Sequence, residues 1–403
     1  MTNEVKKVPE LRFPEFDGEW EEKKLNQIVK FSKGKLLGKK DLDESGKNYC
    51  ILYGELYTKY GFFINQVKSK TNVNIEKLVK GENNQVLLPS SGETAEDIAT
   101  ASSLNVKGDV YIGGDLNILT PINKDGNFIS LSMNGINKWK IAKLAQGKTV
   151  VHLYNENLKT LNLNIPVSRE EQEKIGEFFS KLDRQIELEE QKLAKLEEQK
   201  KGYMQKIFSQ ELRFKDENGN EYPEWSKEKL ENIADFQNGK AHESIVSIEG
   251  KYILVNSKFI SSNSQVKKHV SQQLTPLNKG EIAIVMSDVP KGKALAKCFL
   301  IDEDKKYSLN QRIGRIYNIS GNSRFLYAIL NRNNQLLKYD NGVGQTNLKK
   351  GEITDILINW PISEEQEKIG KFLNYLDKLI KKESNKVESL KKRKQGLLQK
   401  MFI

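Results

Sequence analysis

Two long stretches of the chain carry apolar residues at alternating four- and three-residue spacings. In the first they are Ile175, Phe179, Leu182, Ile186, Leu193, Leu196, Tyr203 and Ile207; in the second, Ile369, Leu373, Leu376, Ile380, Val387, Leu390, Leu397 and Met401. A mean period of 3.5 predicts two long helices, each with a coiled-coil seam. Both seams are interrupted at the same two places, by Glu189 and Lys200 in the first and by Glu383 and Lys394 in the second. Elsewhere the pattern is of short apolar runs bounded by turn residues, such as YCILYG (49–54), QVLLPS (85–90) and DVYIGG (109–114), which read as strands.

The two helices are copies. EEQEKIG at 170–176 recurs at 364–370, and the match continues ungapped to QKIF (205–208) and QKMF (399–402), with 19 identities in 39 positions. Upstream, ELRF (10–13) recurs at 211–214 and WEEKKL (20–25) as WSKEKL (225–230). A fixed-period repeat of this kind marks a duplicated architecture. The chain reads as a globular domain with its N-terminal segment (1–166), a helix (167–208), a second domain (209–361) and a second helix (362–403). The expected fold class is α+β: two β-rich α/β domains separated by two long helices that form an antiparallel coiled coil, a pseudo-two-fold tandem repeat.

The interruptions select the antiparallel sense. Parallel, in-register pairing would set Glu189 against Glu383 and Lys200 against Lys394, like charge on like. Antiparallel pairing in which partner numbers sum to 583 matches Leu182 with Met401, Ile186 with Leu397, Leu193 with Leu390 and Leu196 with Val387. Tyr203 then meets Ile380 and Ile207 meets Leu376, while Glu189 faces Lys394 and Lys200 faces Glu383. Such polar layers act mainly on register. Charge outside the seam agrees: residues 170–208 have 8 basic and 10 acidic residues, 364–402 have 11 and 6. In this arrangement Phe402 returns beside PELRF (9–13), a closed ring cut once, with helices of 39 residues spanning about 58 Å. The alternative is that each seam is only the buried face of a helix packed on its own domain.

Within the domains, QVLLPSSG (85–92) aligns with EIAIVMSD (281–288), and GDL (114–116) with NQR (310–312) is brought in by one offset of 196. The frame is shared and the loops differ. Overall, 65 Lys+Arg against 54 Asp+Glu give a formal charge of +11. Residues 20–165 contribute 20 basic and 15 acidic residues, and 225–360 contribute 20 and 13. Both domains therefore carry the positive balance that a polyanion requires.

Polar loops able to reach base edges offer Tyr53, Glu55, Tyr57, Lys59, Ser90, Ser91, Glu93, Thr94, Asp115, Asn117, Gln146 and Lys148 in the first domain. The second offers Asn256, Lys258, Ser287, Asp288, Lys291, Lys293, Asn310, Gln311, Arg312, Gln345 and Asn347. For any one of them a plain loop or strand-end role is an equal alternative.

Catalytic signatures are missing. All nine prolines are isolated, so the [ND]-P-P-[FY] loop of amino-methyltransferases is absent. Gly147-Lys148-Thr149 resembles the end of a phosphate loop, but Ala142 stands where its first glycine belongs. His152, His242 and His269 have no ligand-spaced partner, and no zinc site is expected; His152 reads as a strand-end residue. Cys50 and Cys298 sit apart in apolar runs, as ordinary buried thiols. No stretch approaches the length of a membrane span, and a cytoplasmic location without membrane contact is expected.

These features together resemble the specificity subunit of type I restriction-modification systems. The residues that carry the resemblance are PELRFPEFDGEW with ELRFKDENGNEYPEW, IPVSREEQEKIGEFFSKLD with WPISEEQEKIGKFLNYLD, and LKTLNLNIPV with ITDILINWPI; it covers nearly the whole chain. It implies two target recognition domains, each reading one part of a split double-stranded DNA sequence, and helices that set the spacer and dock two modification subunits. Those partners would bring S-adenosylmethionine for adenine methylation, and restriction subunits would bring ATP and Mg. This chain itself would bind no cofactor or metal and would hold no catalytic site. A free-standing repressor or anti-restriction decoy, and a coiled-coil scaffold without a DNA role, are the other classes.

Overall fold

The computed structural model describes residues 7–403 except 148, 149, 291 and 341. It divides into two compact units: residues 1–191 with 384–403, and residues 192–383. Each unit thus combines one globular domain with half of each long helix. The helices are α1 (Arg169–Phe208) and α2 (Ser363–Lys400).

In the first unit, five strands lie in the order Val29–Lys33, Leu116–Pro121, Val86–Pro89, Ser102–Leu104 and Phe63–Ile64. A second sheet runs Lys70–Thr71, Asn48–Ile51, Val110–Ile112 and Val79–Lys80, with Asn48–Ile51 and Val110–Ile112 parallel. Val86, Leu87 and Leu88 are all fully buried. They lie between two cores, one beneath the helix Gly126–Asn134 and one between the sheets. The second unit repeats the order with Asp235–Asn238, Ile313–Tyr317, Ile282–Val285 and Cys298–Leu300, then His269–Val270, Tyr252–Val255, Tyr307–Leu309 and Pro276–Leu277. Its middle pair, Tyr252–Val255 with Tyr307–Leu309, is again parallel. The offset of 196 carries Val86–Pro89 onto Ile282–Val285. The strand beside it instead follows 197, with Leu116 opposite Pro89 as Ile313 is opposite Val285, so Asp115 corresponds to Arg312 and not, as one common offset would have it, to Gln311.

The repeated motif EEQEKIG opens each long helix, and its buried glutamate and glutamine hold the adjoining domain. Buried Glu171 accepts hydrogen bonds from Arg12 Nε and Nη2, both at 2.7 Å, and from Trp20 Nε1 at 3.2 Å. Buried Glu365 does the same for Arg213 and Trp225. This accounts for the recurrence of ELRF and of the tryptophan. Gln172 accepts from the Asp125 N–H and donates to the Pro166 carbonyl; Gln366 repeats this with Asn322 and Pro361. A side chain at Gly176 would lie 2.8 Å from Asp125 Oδ1, so glycine permits that approach. In the first unit the Leu11 N–H donates to the Lys400 carbonyl at 2.9 Å, and in the second the Leu212 N–H donates to that of Lys206 at 3.0 Å. The first contact spans the chain's two ends and the second is local in sequence. PELRF therefore does occupy the place of a segment continuing from α2.

The helix halves pair antiparallel in both units, but in a different register from the one expected. Lys394 binds Asp183 at 2.6 Å, and Glu189 binds Lys386. Glu383 binds Lys192 at 2.7 Å, and Lys200 binds Asp377 at 2.5 Å. Each partner lies six or eight positions from the expected one, a slip of one heptad. The apolar contacts agree: Tyr203 packs on Phe372 and Ile207 clusters with Ile369 and Leu373, in place of Ile380 and Leu376. The apolar positions match themselves after a slip of seven, and the four polar interruptions, which favour the other register, pair instead with Asp183, Lys386, Lys192 and Asp377 on the facing helix. The domains choose. Phe402 stacks on Phe128 at 5.2 Å and packs against Trp20 and Phe179, which fixes where α2 ends against the first core.

Candidate nucleic-acid interface

In each unit a two-stranded ribbon and a turn meet at one end of the sheets. In the first, Ser91–Gly92 pairs with Val151–His152, and the Ser90 N–H donates to the Asp115 carbonyl at 2.8 Å. Ser91 Oγ lies 3.2 Å from His152 Nδ1, and Gln146 and His152 exchange backbone hydrogen bonds at 2.9 and 2.7 Å. In the second, Ser287–Asp288 pairs with Thr346–Asn347, the Met286 N–H donates to the Arg312 carbonyl at 3.0 Å, and Gln345 Nε2 donates to Ser287 Oγ at 2.7 Å. The frames coincide: Ser91 faces His152 in the ladder as Ser287 faces Asn347.

A strand-end glycine closes each arrangement. A Cβ on Gly34 would collide with the Gly113 carbonyl, and one on Gly239 with that of Asn310. The next residue, Lys35 or Lys240, is exposed. The repeated Gly-Lys after a strand was the sequence signal for these lysines, and it escaped the loop-by-loop reading. Lys33 and Tyr154 were also missed: the ammonium sits 5.9 Å from the centre of the Tyr154 ring, which stacks on His152 at 6.1 Å. His152 ends the strand Val151–His152, as expected, and its ring also lies in this cluster.

Of the expected residues, Ser91, Asp115 and Gln146 come together in the first unit, as do Ser287, Asn310, Gln311, Arg312, Gln345 and Asn347 in the second. The 53–61 loop joins the first group. The Tyr57 phenol pKa is raised by burial and then by the charges of Tyr53, Asp97 and Glu93, the last of them exposed. Half-buried Tyr53 packs against the core.

Several expected readers are engaged internally. Glu55 is buried and accepts from the Leu52 N–H at 2.9 Å, from Lys59 at 2.6 Å and from Ser69. It holds its own loop, and Lys59 is its partner. Asn117 is fully buried in a strand, with Nδ2 on the Leu153 carbonyl at 2.8 Å. Thr94 and Asn256 cap short helices by accepting from the Asp97 and Phe259 N–H groups. Asp288 accepts from the N–H groups of Val289, Ala294 and Leu295, pinning that loop. Ser90 is buried. Apart from Lys59 and Ser90, each of these polar side chains, which read as loop residues, satisfies backbone donors or acceptors of its own fold. Lys258 and Lys293 are exposed, Lys293 in the loop that follows the ribbon strand Ser287–Asp288. Lys148 and Lys291 lie outside the described residues.

Both cysteines are free and buried, and burial pushes the Cys50 thiol up to about 11. Among the described residues no helix is long and apolar enough to cross a membrane.

A duplicated basic chain, with one ribbon-and-turn site in each unit and paired helix segments, has the organisation of a tandem recognition protein. A model of the type I restriction modification DNA specificity domain matches residues 17–198 and 222–390. The chain belongs to that family, as a specificity subunit. It is 24% identical over 425 residues to the specificity subunit of the type I restriction enzyme MjaVIII of Methanocaldococcus jannaschii, covering 98% of this chain and 94% of that one. Among solved structures it is similar to the S subunit of a type I restriction-modification system from M. genitalium. The TM-score is 0.66 at 18% identity, over 98% of this chain and 99% of that one. A second similar chain comes from work on complex assembly and conformational transition of the type I restriction-modification system, with a TM-score of 0.53 at 12% identity over 95% and 97% of the chains. These two likenesses concern the fold.

Proposed function

We propose that the two ribbon-and-turn sites read the two parts of a split double-stranded DNA target, and that the chain performs no chemistry itself. The observation that carries this reading is one backbone frame displaying different side chains in its two copies, exposed Asp115 and half-buried His152 in one where exposed Arg312 and Asn347 stand in the other. A shared frame with divergent readers suits an asymmetric target. The surrounding lysines supply phosphate attraction.

Two modification subunits dock on this chain and bring S-adenosylmethionine for adenine methylation; restriction subunits bring ATP and Mg. The complex works on the chromosome, in the cytoplasm. Co-purification should recover a methyltransferase at two copies per chain, and replacing residues 20–165 by another recognition domain should change one half of the methylated motif only. A change in both halves, or a host methylome unaffected by loss of the gene, would refute the reading. A repressor would instead bind its site unaided, and a scaffold would bind no DNA.

A further inference from the structure

The turns at 113–115 and 310–312 occupy the same place in the two frames. The carbonyl of Asp115 receives the Ser90 N–H and that of Arg312 the Met286 N–H, and each turn abuts the strand-end glycine of its unit. Both side chains are exposed, and neither forms an ion pair among the described residues. Arg312 also holds a left-handed backbone, with φ of 65°, a conformation that non-glycine residues adopt seldom and that concentrates at functional sites. The same position therefore presents a free carboxylate in one unit and a free guanidinium in the other.

The carboxylate limits where this position can lie on DNA. Against a phosphate it would meet like charge, with no gain to offset the loss of its hydration. In the major groove the donors are the N4 amino group of cytosine and the N6 amino group of adenine, and a carboxylate, which only accepts, suits cytosine because adenine N6 has the acceptor N7 beside it. Because the two frames have the same strand order and the same turn, docking them alike puts Arg312 at the depth set by Asp115. That depth is a base edge. A planar guanidinium there matches guanine O6 and N7 through two parallel hydrogen bonds.

We propose that Asp115 and Arg312 are equivalent specificity-determining residues, Asp115 accepting from a cytosine in one half of the target and Arg312 donating to a guanine in the other. The assignment rests on the DNA-reading function proposed above. Its test uses the chain assembled with its modification subunits, compared with the same complex carrying Arg312→Gln or Asp115→Asn.

The expected result for Arg312→Gln is a methylated motif that loses discrimination at a single guanine in one half, the other half and the spacer being kept. Affinity for the original site should fall about 5- to 150-fold, with the slope of log affinity against log salt unchanged. Asp115→Asn should relax a single cytosine in the opposite half. Equal weakening on all sequences, with the salt slope smaller by about one, would make Arg312 a phosphate contact and overturn the assignment. Relaxation at any other base would overturn it for the residue concerned. An unaltered motif in either variant beside a wild-type complex with a split motif refutes this assignment alone; a wild-type complex that methylates no split motif removes the underlying reading with it. Gln at 312 has the same backbone preference as Arg and replaces a side chain with no ion-pair partner, so the fold is retained, and a thermal melt checks this.

Discussion

Asp125 and Asn322 perform one task with different chemistry. Each caps the helix that abuts the start of a long helix, accepting from the Phe128 N–H at 2.7 Å and the Phe325 N–H at 2.9 Å. Asn322 uses its amide Nδ2 to donate to Glu367 Oε1 at 2.7 Å. Glu173 occupies the corresponding place in the first unit, where Asp125 can offer it only repulsion. Burial first, with Glu173 contributing, raises the Asp125 carboxyl from its ordinary value of 3.8 to about 6. A folded-state pKa above the unfolded one means that the contribution to stability is fully present below 3.8 and lost as pH rises through about 6.

Asp125→Asn keeps the cap, removes the buried charge and supplies the donor already present in the other unit. At 1.36 kcal/mol per pKa unit, it should stabilise the first unit by up to about 3 kcal/mol at pH 8, and by only about 1 kcal/mol near pH 4.5. Hydrogen exchange of the full chain, read in peptides covering residues 126–134 at both pH values, measures this directly. Faster exchange at pH 8, or a gain of the same size at both pH values, would show that the buried charge is not what destabilises this cap.

Two further perturbations probe the clasp and the register. Glu171→Ala leaves Arg12 without its carboxylate and Trp20 without its acceptor, and should cost about 3–5 kcal/mol of first-unit stability by urea denaturation; a loss under 1 kcal/mol would mean that the clasp contributes little. Lys394→Glu sets like charges together at Asp183 and removes the ammonium 3.9 Å from the Phe62 ring centre. It should cost about 1.5–3 kcal/mol. Adding Asp183→Lys should restore part of that loss, whereas adding Glu189→Lys should not. The reverse outcome would favour the register in which partner numbers sum to 583.

The amino-acid order by itself determined the duplication, the two long helices, their antiparallel sense and the frame of the main strands. All of these are written in local periods or in comparison of one copy with the other. Strand runs such as Val86–Pro89 needed only their own apolar side chains to be recognised. The register was misread from the sequence: the interruptions favour partner numbers summing to 583, but other charged residues of the facing helix satisfy all four, and Phe402 packed into the first core sets the register observed.

The recognition surface was legible as a set of loops and only in part as residues. Asp115, Gln146, Arg312 and Asn347 are exposed, whereas Glu55, Asn117 and Asp288 have the same polar character and are held by internal hydrogen bonds; Gln345 is exposed and yet held by Ser287. His152 and Tyr154 entered the site through neighbours distant in sequence, Ser91 and Lys33, whereas the Gly-Lys lysines had a signal in the repeat. Whether a polar side chain is free depends on which buried backbone groups lie within hydrogen-bonding reach of it, and that set is assembled by long-range packing.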